Sequence, residues 1–239
     1  AQIGFESPQR LPDCLGSYDY AMLYNEALTN DGLPTQYSAS DLSAYQSGND
    51  PYFYPDVNWY DVLLRDSAPV SKYNISFSGG QKGVRYFVML GYKNRSGIYK
   101  NTADKTDFSS NSNYNQFNVR TNVDIDLSEK LVASVNMGVS LANKKNPAGY
   151  NTNDIFSKMS LIPPNAFPVY NPNGTYGGNP LYTNPWGDLL ETGSYTSNYR
   201  TFQSAIKLKY QLDMIADGLS ISAAASFNDR FRGYSSKSR

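Results

Sequence analysis

Residues 114–127 read YNQFNVRTNVDIDL, and after a tight turn at Ser128-Glu129 residues 130–141 read KLVASVNMGVSL. In both stretches apolar and polar side chains alternate, which predicts two antiparallel β-strands joined by a hairpin. Phe117, Val119, Thr121, Val123, Ile125 and Leu127, five of them apolar, share one face of the first strand. The polar side chains on its other face are Gln116, Asn118, Arg120, Asn122, Asp124 and Asp126.

Two further hairpins show the same period of two. From about Ser71 the chain alternates up to a glycine-rich turn at 79–83 and alternates again over 84–92. A later pair runs over 200–212 and 219–227, with a turn near Asp217-Gly218. Lys207 and Lys209 lie on the polar face of that pair. The two strands on either side of Ser128, over 114–127 and 130–141, are much longer than the typical globular strand of about 5–6 residues.

The connections between the predicted strands alternate between short and long. Short turns near 79–83, 128 and 214–218 alternate with long loops over about 94–113 and 143–197. Outer-membrane barrels have short periplasmic turns and long extracellular loops. We therefore expect an all-β fold, a partial transmembrane antiparallel up-and-down β-barrel with long extracellular loops. Membrane lipid would contact its apolar face, and a water-filled lumen its polar face.

Composition excludes several classes of function. The 239 residues contain no His and one Cys, which removes a Ser-His-Asp hydrolase, a His-ligated metal centre and a disulfide framework. A net charge of zero, without a run of five or more basic residues, makes nucleic acid a poor partner. Asp124 and Asp126 share one strand face, but no partner base accompanies them. We expect neither an enzyme nor a bound cofactor or metal.

A soluble β-sandwich, such as a surface-attached carbohydrate-binding module, is the alternative fold and function. Its strands would also alternate, with one face in a core and one face in water. A sandwich accounts less well for the strand length and for the loop asymmetry.

Several segments, in order along most of the chain, resemble SusC/RagA-type TonB-dependent outer-membrane transporters of the Bacteroidetes. The first resembling segments are Arg10-Leu11-Pro12, residues 17–27 (SYDYAMLYNEA) and residues 54–61 (YPDVNWYD). Others are residues 74–80 (NISFSGG), 84–88 (VRYFV), 91–92, 97–100 (GIYK) and 118–124 (NVRTNVD). The last are residues 163–168 (PPNAFP) and 170–175 (YNPNGT).

The resemblance implies how the chain is organised. Residues 1–5 would end one strand of a large plugged barrel, and 6–70 would form the first extracellular loop. Within that loop, the spacing of the residues themselves predicts a helix with Ser17 as its N-cap and a short helix near 59–65. Residues 71–239 would then supply about six barrel strands. The plug, the TonB box and the remaining strands are absent from these residues.

The resemblance also implies a function and partners. Family members import oligosaccharides or peptides across the outer membrane, with a SusD-like surface lipoprotein as a lid and with force delivered by TonB. TonB would act through the missing N-terminal part. Glycan or peptide cargo, the lipoprotein and the TonB complex are therefore the expected partners.

Two groups of residues are candidates for contact with cargo or with the lid. Aromatic rings beside polar groups suit stacking on sugar faces, although such rings also pack inside loops or against a partner protein. These aromatic candidates are Tyr52, Phe53, Tyr54, Trp59, Tyr60, Tyr170, Tyr176 and Trp186. The lumen-facing candidates are the six polar residues of 116–126 named above, together with Lys207 and Lys209. A wet lumen needs polar residues whatever its cargo.

Overall fold

The computed structural model describes residues 1–100, 111–148 and 152–237. Its strands are β1 Gln2–Glu6, β2 Ala68–Gln81, β3 Val84–Ser96, β4 Asn113–Asp126, β5 Leu131–Pro147, β6 Ser194–Gln211 and β7 Ser220–Lys237. Its helices are α1 Ser17–Asn30, α2 Ala39–Ser47, α3 Trp59–Leu63, α4 Thr152–Leu161 and α5 Pro185–Glu191. Among the helices of the described residues, none combines the length and the apolar character needed to cross a membrane.

The seven strands form one antiparallel sheet in which each strand pairs with its neighbours in sequence, in the order β1 to β7. This up-and-down arrangement confirms the predicted fold class. A strand rises about 3.4 Å per residue, so the 14 residues of β4 extend over roughly 47 Å. At a tilt of about 45° that length covers the hydrocarbon core of a bilayer, about 30 Å thick.

The strand register gives the sheet two chemically different faces. Residues directly opposite each other in antiparallel strands project from the same face. One cross-strand row runs Met89, Arg120, Gly138, Gln203 and Asn228. We call the face that bears this row the polar face and the opposite one the apolar face. All eight predicted lumen-facing residues lie on the polar face.

The apolar face is uncovered. Ile75 is 53% exposed, Phe117 41%, Ile206 54% and Phe227 60%, although each of these side chains is large and apolar. A soluble monomer rarely exposes a continuous apolar patch of this extent. The sheet therefore does not bury its apolar face as a sandwich strand pair does.

The hydrophobic core lies in the connections at one end of the sheet instead. Trp59, Leu63, Tyr99, Ile155 and Leu189 are each at most 2% exposed and belong to one cluster. They come from the β1–β2, β3–β4 and β5–β6 connections, which all leave the same end. Three separate loops thus pack together as one folded unit, which we call the loop domain.

The opposite end of the sheet carries only short turns. Residues 82–83 join β2 to β3, and Gly83 there adopts a φ of +90°, a conformation that favours glycine. Residues 127–130 join β4 to β5, and 212–219 join β6 to β7. The sheet is therefore asymmetric along its strands.

Local boundaries differ from those predicted in several places. β1 extends to Glu6 and β2 begins at Ala68, so the first connection spans 7–67. Helices α2, α4 and α5 were not predicted individually, although Ile155, Met159 and Ile162 give α4 and the residue after it a helical apolar spacing. The N-cap of α1 is Gly16, and Ser17 is already helical, so the prediction of Ser17 as N-cap is wrong. The Ser17 hydroxyl instead donates a buried hydrogen bond to the Pro55 carbonyl oxygen at 2.7 Å.

Candidate functional site

Three of the predicted aromatic contact residues belong to the interior of the loop domain. Trp59, Tyr60 and Trp186 are 2%, 3% and 7% exposed. The Trp59 ring lies 5.5 Å from that of Phe167, and the Tyr60 hydroxyl is 2.6 Å from the Ser160 hydroxyl. In this arrangement the three rings hold the β1–β2 connection (the first loop) and the β5–β6 connection (the third loop) together. They present no surface to a ligand.

Tyr170 and Tyr176 are half-buried beside this core. Their rings are 5.5 Å apart, and their backbones form an isolated antiparallel bridge. The Trp186 indole N–H donates a hydrogen bond to the Tyr170 hydroxyl at 2.5 Å. Desolvation, reinforced by the nearby Glu191 carboxylate, raises the pKa of Tyr176. These contacts give both rings a packing role, and both residues remain partly exposed.

Tyr52 and Phe53 are the predicted aromatics that the structure presents to solvent. Tyr52 is 48% exposed and Phe53 is 82% exposed. The Asp50 carboxylate accepts hydrogen bonds from the backbone N–H groups of both residues, at 3.2 and 3.1 Å. This turn directs the Phe53 ring toward solvent. No ring contact or hydrogen bond of the Phe53 side chain within the described residues accounts for that orientation.

The third residue of this aromatic run, Tyr54, is fixed to helix α2. Its hydroxyl donates to the Asp41 carboxylate at 3.2 Å. The same carboxylate accepts from the Ser38 backbone N–H at 2.8 Å, and the Ser38 hydroxyl oxygen accepts from the Asp41 backbone N–H at 3.2 Å, which together form a capping box. The Ser38 hydroxyl also lies 2.7 Å from the Asp41 carboxylate and donates to it. Hydrogen bonds from Ser38 lower the pKa of Asp41, and the bond to Asp41 raises the pKa of Tyr54.

We expect acid to loosen this capping box. The folded-state pKa of Asp41 lies below its unfolded value of about 3.9, so its contribution is full above that pH and is lost as pH falls through the lowered pKa. Amide exchange of residues 39–47 should therefore accelerate as pH falls below about 4, beyond the intrinsic pH dependence of exchange. In Ser38→Ala the titration of Asp41 should move up toward its ordinary range. An unchanged titration in that variant would contradict the role given to Ser38.

A row of tyrosines that the sequence did not reveal lines the first loop. Tyr20, Tyr24, Tyr37, Tyr45 and Tyr54 follow one another with ring centroids 5.9, 6.1, 6.0 and 5.2 Å apart. The first contact is stacked and the other three are edge-to-face, the geometries that aromatic pairs favour. These residues come from α1, α2 and two loop segments, so their proximity exists only in the folded loop.

Two asparagines fix this row in place. The Asn25 carboxamide oxygen accepts from the backbone N–H groups of Gln36 and Tyr37, both at 3.0 Å. The Asn165 side chain donates to the Tyr37 hydroxyl at 2.8 Å. The second bond ties the first loop to the third, across 128 residues of sequence.

The first loop is also strongly acidic. Between Arg10 and Arg65 the sequence contains no Lys or Arg. Its eight acidic residues are Asp13, Asp19, Glu26, Asp31, Asp41, Asp50, Asp56 and Asp61. Met22 and Leu23, on helix α1 among these acids, are 41% and 51% exposed. The loop therefore presents negative charge beside apolar side chains, a pattern that was readable in the sequence.

The two carboxylates on strand β4 have separate partners. Asp126 forms an ion pair with Arg85 at 2.9 Å, and Asp124 accepts a hydrogen bond from the Ser134 hydroxyl at 2.6 Å. Each is thus engaged across a strand pair rather than with the other. Within the described residues, no group of three or more acidic or Cys side chains could hold a metal ion.

Comparison with curated proteins gives one sequence relative. TonB-dependent receptor P26 of Formosa agariphila is 28% identical over 167 residues, which are 69% of this chain and 15% of that protein. The chain therefore spans a small part of its relative's length. No protein-family model matches the sequence.

Comparison with solved structures gives a likeness of fold. The RagAB peptide transporter matches with a TM-score of 0.66 at 15% identity, over 98% of this chain and 28% of that one. The RagAB peptide importer in its open-open state matches with a TM-score of 0.65 at 16% identity, over 99% of this chain and 28% of that one. The resemblance to SusC/RagA-type TonB-dependent transporters of the bacterial outer membrane is thus confirmed, in sequence by a TonB-dependent receptor and in fold by RagAB.

Proposed function

We propose that this chain is part of the barrel subunit of a TonB-dependent importer, which takes oligosaccharides or peptides across the outer membrane. The main observation in support is the two-faced sheet, whose apolar face is exposed over strands long enough to span a bilayer. In this proposal lipid covers the apolar face, the polar face lines the lumen, and the loop domain lies outside the cell. The role is non-enzymatic, in keeping with a relative named as a receptor and a structural neighbour named as a transporter.

The soluble carbohydrate-binding alternative is disfavoured by where the core lies. A soluble β-sandwich buries one face of each sheet. Here the buried cluster lies in the loops, and the apolar face of the sheet is open. Such a surface requires lipid or detergent to remain soluble.

Uptake by whole cells tests the proposed function. Deleting the gene for the whole protein should abolish energised uptake of its cargo, and dissipating the proton gradient that drives TonB should have the same effect. The two cargo classes are separated by offering labelled oligosaccharide and labelled peptide pools to both strains. Equal uptake of all labels with and without the gene would contradict an import role.

We further propose that a SusD-like lipoprotein docks on the first loop and covers Tyr52 and Phe53. Exposed aromatic side chains of this kind are enriched at the energetic centre of protein interfaces. The negative charge of the loop would select a basic surface on the partner.

Phe53→Ala should therefore weaken the complex with the lipoprotein. The expected loss is about 1–2 kcal/mol, or roughly 5- to 30-fold in the dissociation constant, measured between purified full-length proteins. Met214→Ala is the matched control, because Met214 is 66% exposed but lies in the turn at the opposite end of the sheet. Equal affinity of the Phe53 variant and the wild type would contradict docking at this ring.

A further inference from the structure

The polar face carries a large excess of positive charge. The strand register places ten basic side chains on it: Lys72, Arg85, Lys93, Arg95, Arg120, Lys144, Lys207, Lys209, Arg230 and Arg232. The acidic side chains of the strands on that face are Glu6, Asp124 and Asp126. Since the whole chain has a net charge of zero, this separation of charge is a property of the fold.

Little of this positive charge is neutralised within the sheet. Arg85 pairs with Asp126, and Arg95 pairs with Glu6. Arg232 lies over the Tyr199 ring, 5.2 Å from its centroid, and donates to the Tyr195 hydroxyl at 3.2 Å. In the part of the chain that the structure describes, the remaining basic side chains of the polar face form no ion pair.

Two of these basic residues face each other directly. Lys72 on β2 and Lys93 on β3 are register partners. Like charges directly opposite each other on one sheet face destabilise the strand pair. An anion lying between or beside the two ammonium groups would relieve this repulsion.

Arg120 lies at the middle of β4 beside a polar depression. Its register partner on β5, Gly138, has no side chain, so the surface is lower there. The resulting depression of about 310 Å³ is bordered by Arg120, Asn122, Asn136, Gln203, Ser226 and Asn228. An arginine surrounded by amides and a hydroxyl offers a charge-assisted fork for an anion and both donors and acceptors for neighbouring hydroxyl groups.

We infer that the cargo of this transporter is an acidic oligosaccharide, whose carboxylate or sulfate groups are attracted along the polar face and bound by Arg120. The inference rests on the proposed function, in which this face lines the lumen. The amides and the Ser226 hydroxyl beside Arg120 match the hydroxyl groups of sugars, and the lining contains no aromatic or branched aliphatic side chain against which a peptide could pack. The acidic first loop has the opposite charge preference, and in the proposed complex a basic surface of the lipoprotein covers it.

The test compares two forms of one sugar polymer. Purified full-length protein, with its lipoprotein, is titrated with oligogalacturonate and with the fully methyl-esterified form of the same oligomer. The acidic form should bind at least about tenfold more tightly at low ionic strength, since a charge-assisted bond exceeds a neutral one, and salt should reduce that preference. Equal affinity for the two forms would overturn the inference.

The variant Arg120→Gln tests whether Arg120 is the residue that produces the preference for the acidic oligomer. It should reduce the preference for the acidic form by about tenfold, the size of one charge-assisted hydrogen bond. The control Lys130→Gln, which removes one positive charge from the turn between β4 and β5, should retain the preference. Because the comparison of acid with ester in the wild type needs no variant, a misfolded Arg120 variant leaves the test intact.

Two other partners for Arg120, an acidic peptide and the plug of the barrel, would give different experimental results. If oligoglutamate binds as tightly as oligogalacturonate, the site recognises carboxylates without regard to sugar, and the saccharide class is wrong. If Arg120→Gln lowers the melting temperature and exposes a plug to protease while acid preference is unchanged, the charge pairs with the plug, and the inference fails. Binding without energised uptake would contradict the proposed function alone.

Discussion

Replacing Val119 with Arg is expected to destabilise the folded barrel by about 2–4 kcal/mol, the cost of a basic side chain on the lipid face near the bilayer midplane. Val119 lies in the middle of β4 on the apolar face, paired with Leu90 and Val139. The guanidinium would have to enter hydrocarbon, or reach past neighbouring apolar side chains to the interface. The measurement is denaturant unfolding of the whole protein reconstituted in lipid vesicles.

Asn122→Arg is the matched control for this substitution. Asn122 is an exposed residue of the same strand, three positions further along and on the opposite face. An arginine there would meet water instead of lipid, so its cost is limited to repulsion from Arg120 and we expect a change below about 1 kcal/mol. A penalty at Asn122 equal to that at Val119 would mean that the two faces do not meet different solvents.

The second large effect is expected in the loop domain. Trp59→Ala removes a ring that is 2% exposed and packed against Phe167, and should cost about 3–5 kcal/mol of local stability. Because the ring joins the first and third loops, residues 57–64 and 155–190 should lose protection together, while the strands stay protected. Native-state amide exchange on the whole protein measures both regions in one experiment.

Phe53→Ala supplies the comparison for Trp59→Ala. Its ring is 82% exposed, so its loss should leave the stability of the loop domain within about 0.5 kcal/mol of wild type. If Trp59→Ala altered exchange only in the first loop, the three loops would be independent units, contrary to the shared core described above.

The strands could be predicted from the sequence because their signal is local. In 114–127 every second residue repeats the same chemistry, and the hairpin partner follows after a tight turn. The register then follows from the turn and from the need to keep one face apolar. Arg120, Asp124 and Lys207 were placed on one face by this argument, and the structure puts them there.

The loop domain could not be predicted in the same way because its contacts are distant in sequence. Nothing in the sequence around Trp59 indicates that Phe167 covers it, or that the Tyr60 hydroxyl meets Ser160, 100 residues away. The sequence therefore could not show that Trp59 and Tyr60 are buried and Phe53 is exposed, because all three belong to one aromatic run. Two signals were nevertheless present: the Ser38–Asp41 capping pattern of α2 and the absence of basic residues between Arg10 and Arg65.

The central claim is that the sheet separates lipid from water, and site-directed fluorescence along β4 tests it most directly. Cys14, the chain's single cysteine, and every cysteine elsewhere in the whole protein are replaced by Ser. Single cysteines at positions 116 to 125 are then labelled with a small fluorophore in the whole protein, reconstituted in brominated lipid. We predict quenching at 117, 119, 121, 123 and 125 and little at the positions between, in a strict period of two. Uniform quenching, or no quenching at any position, would contradict the account.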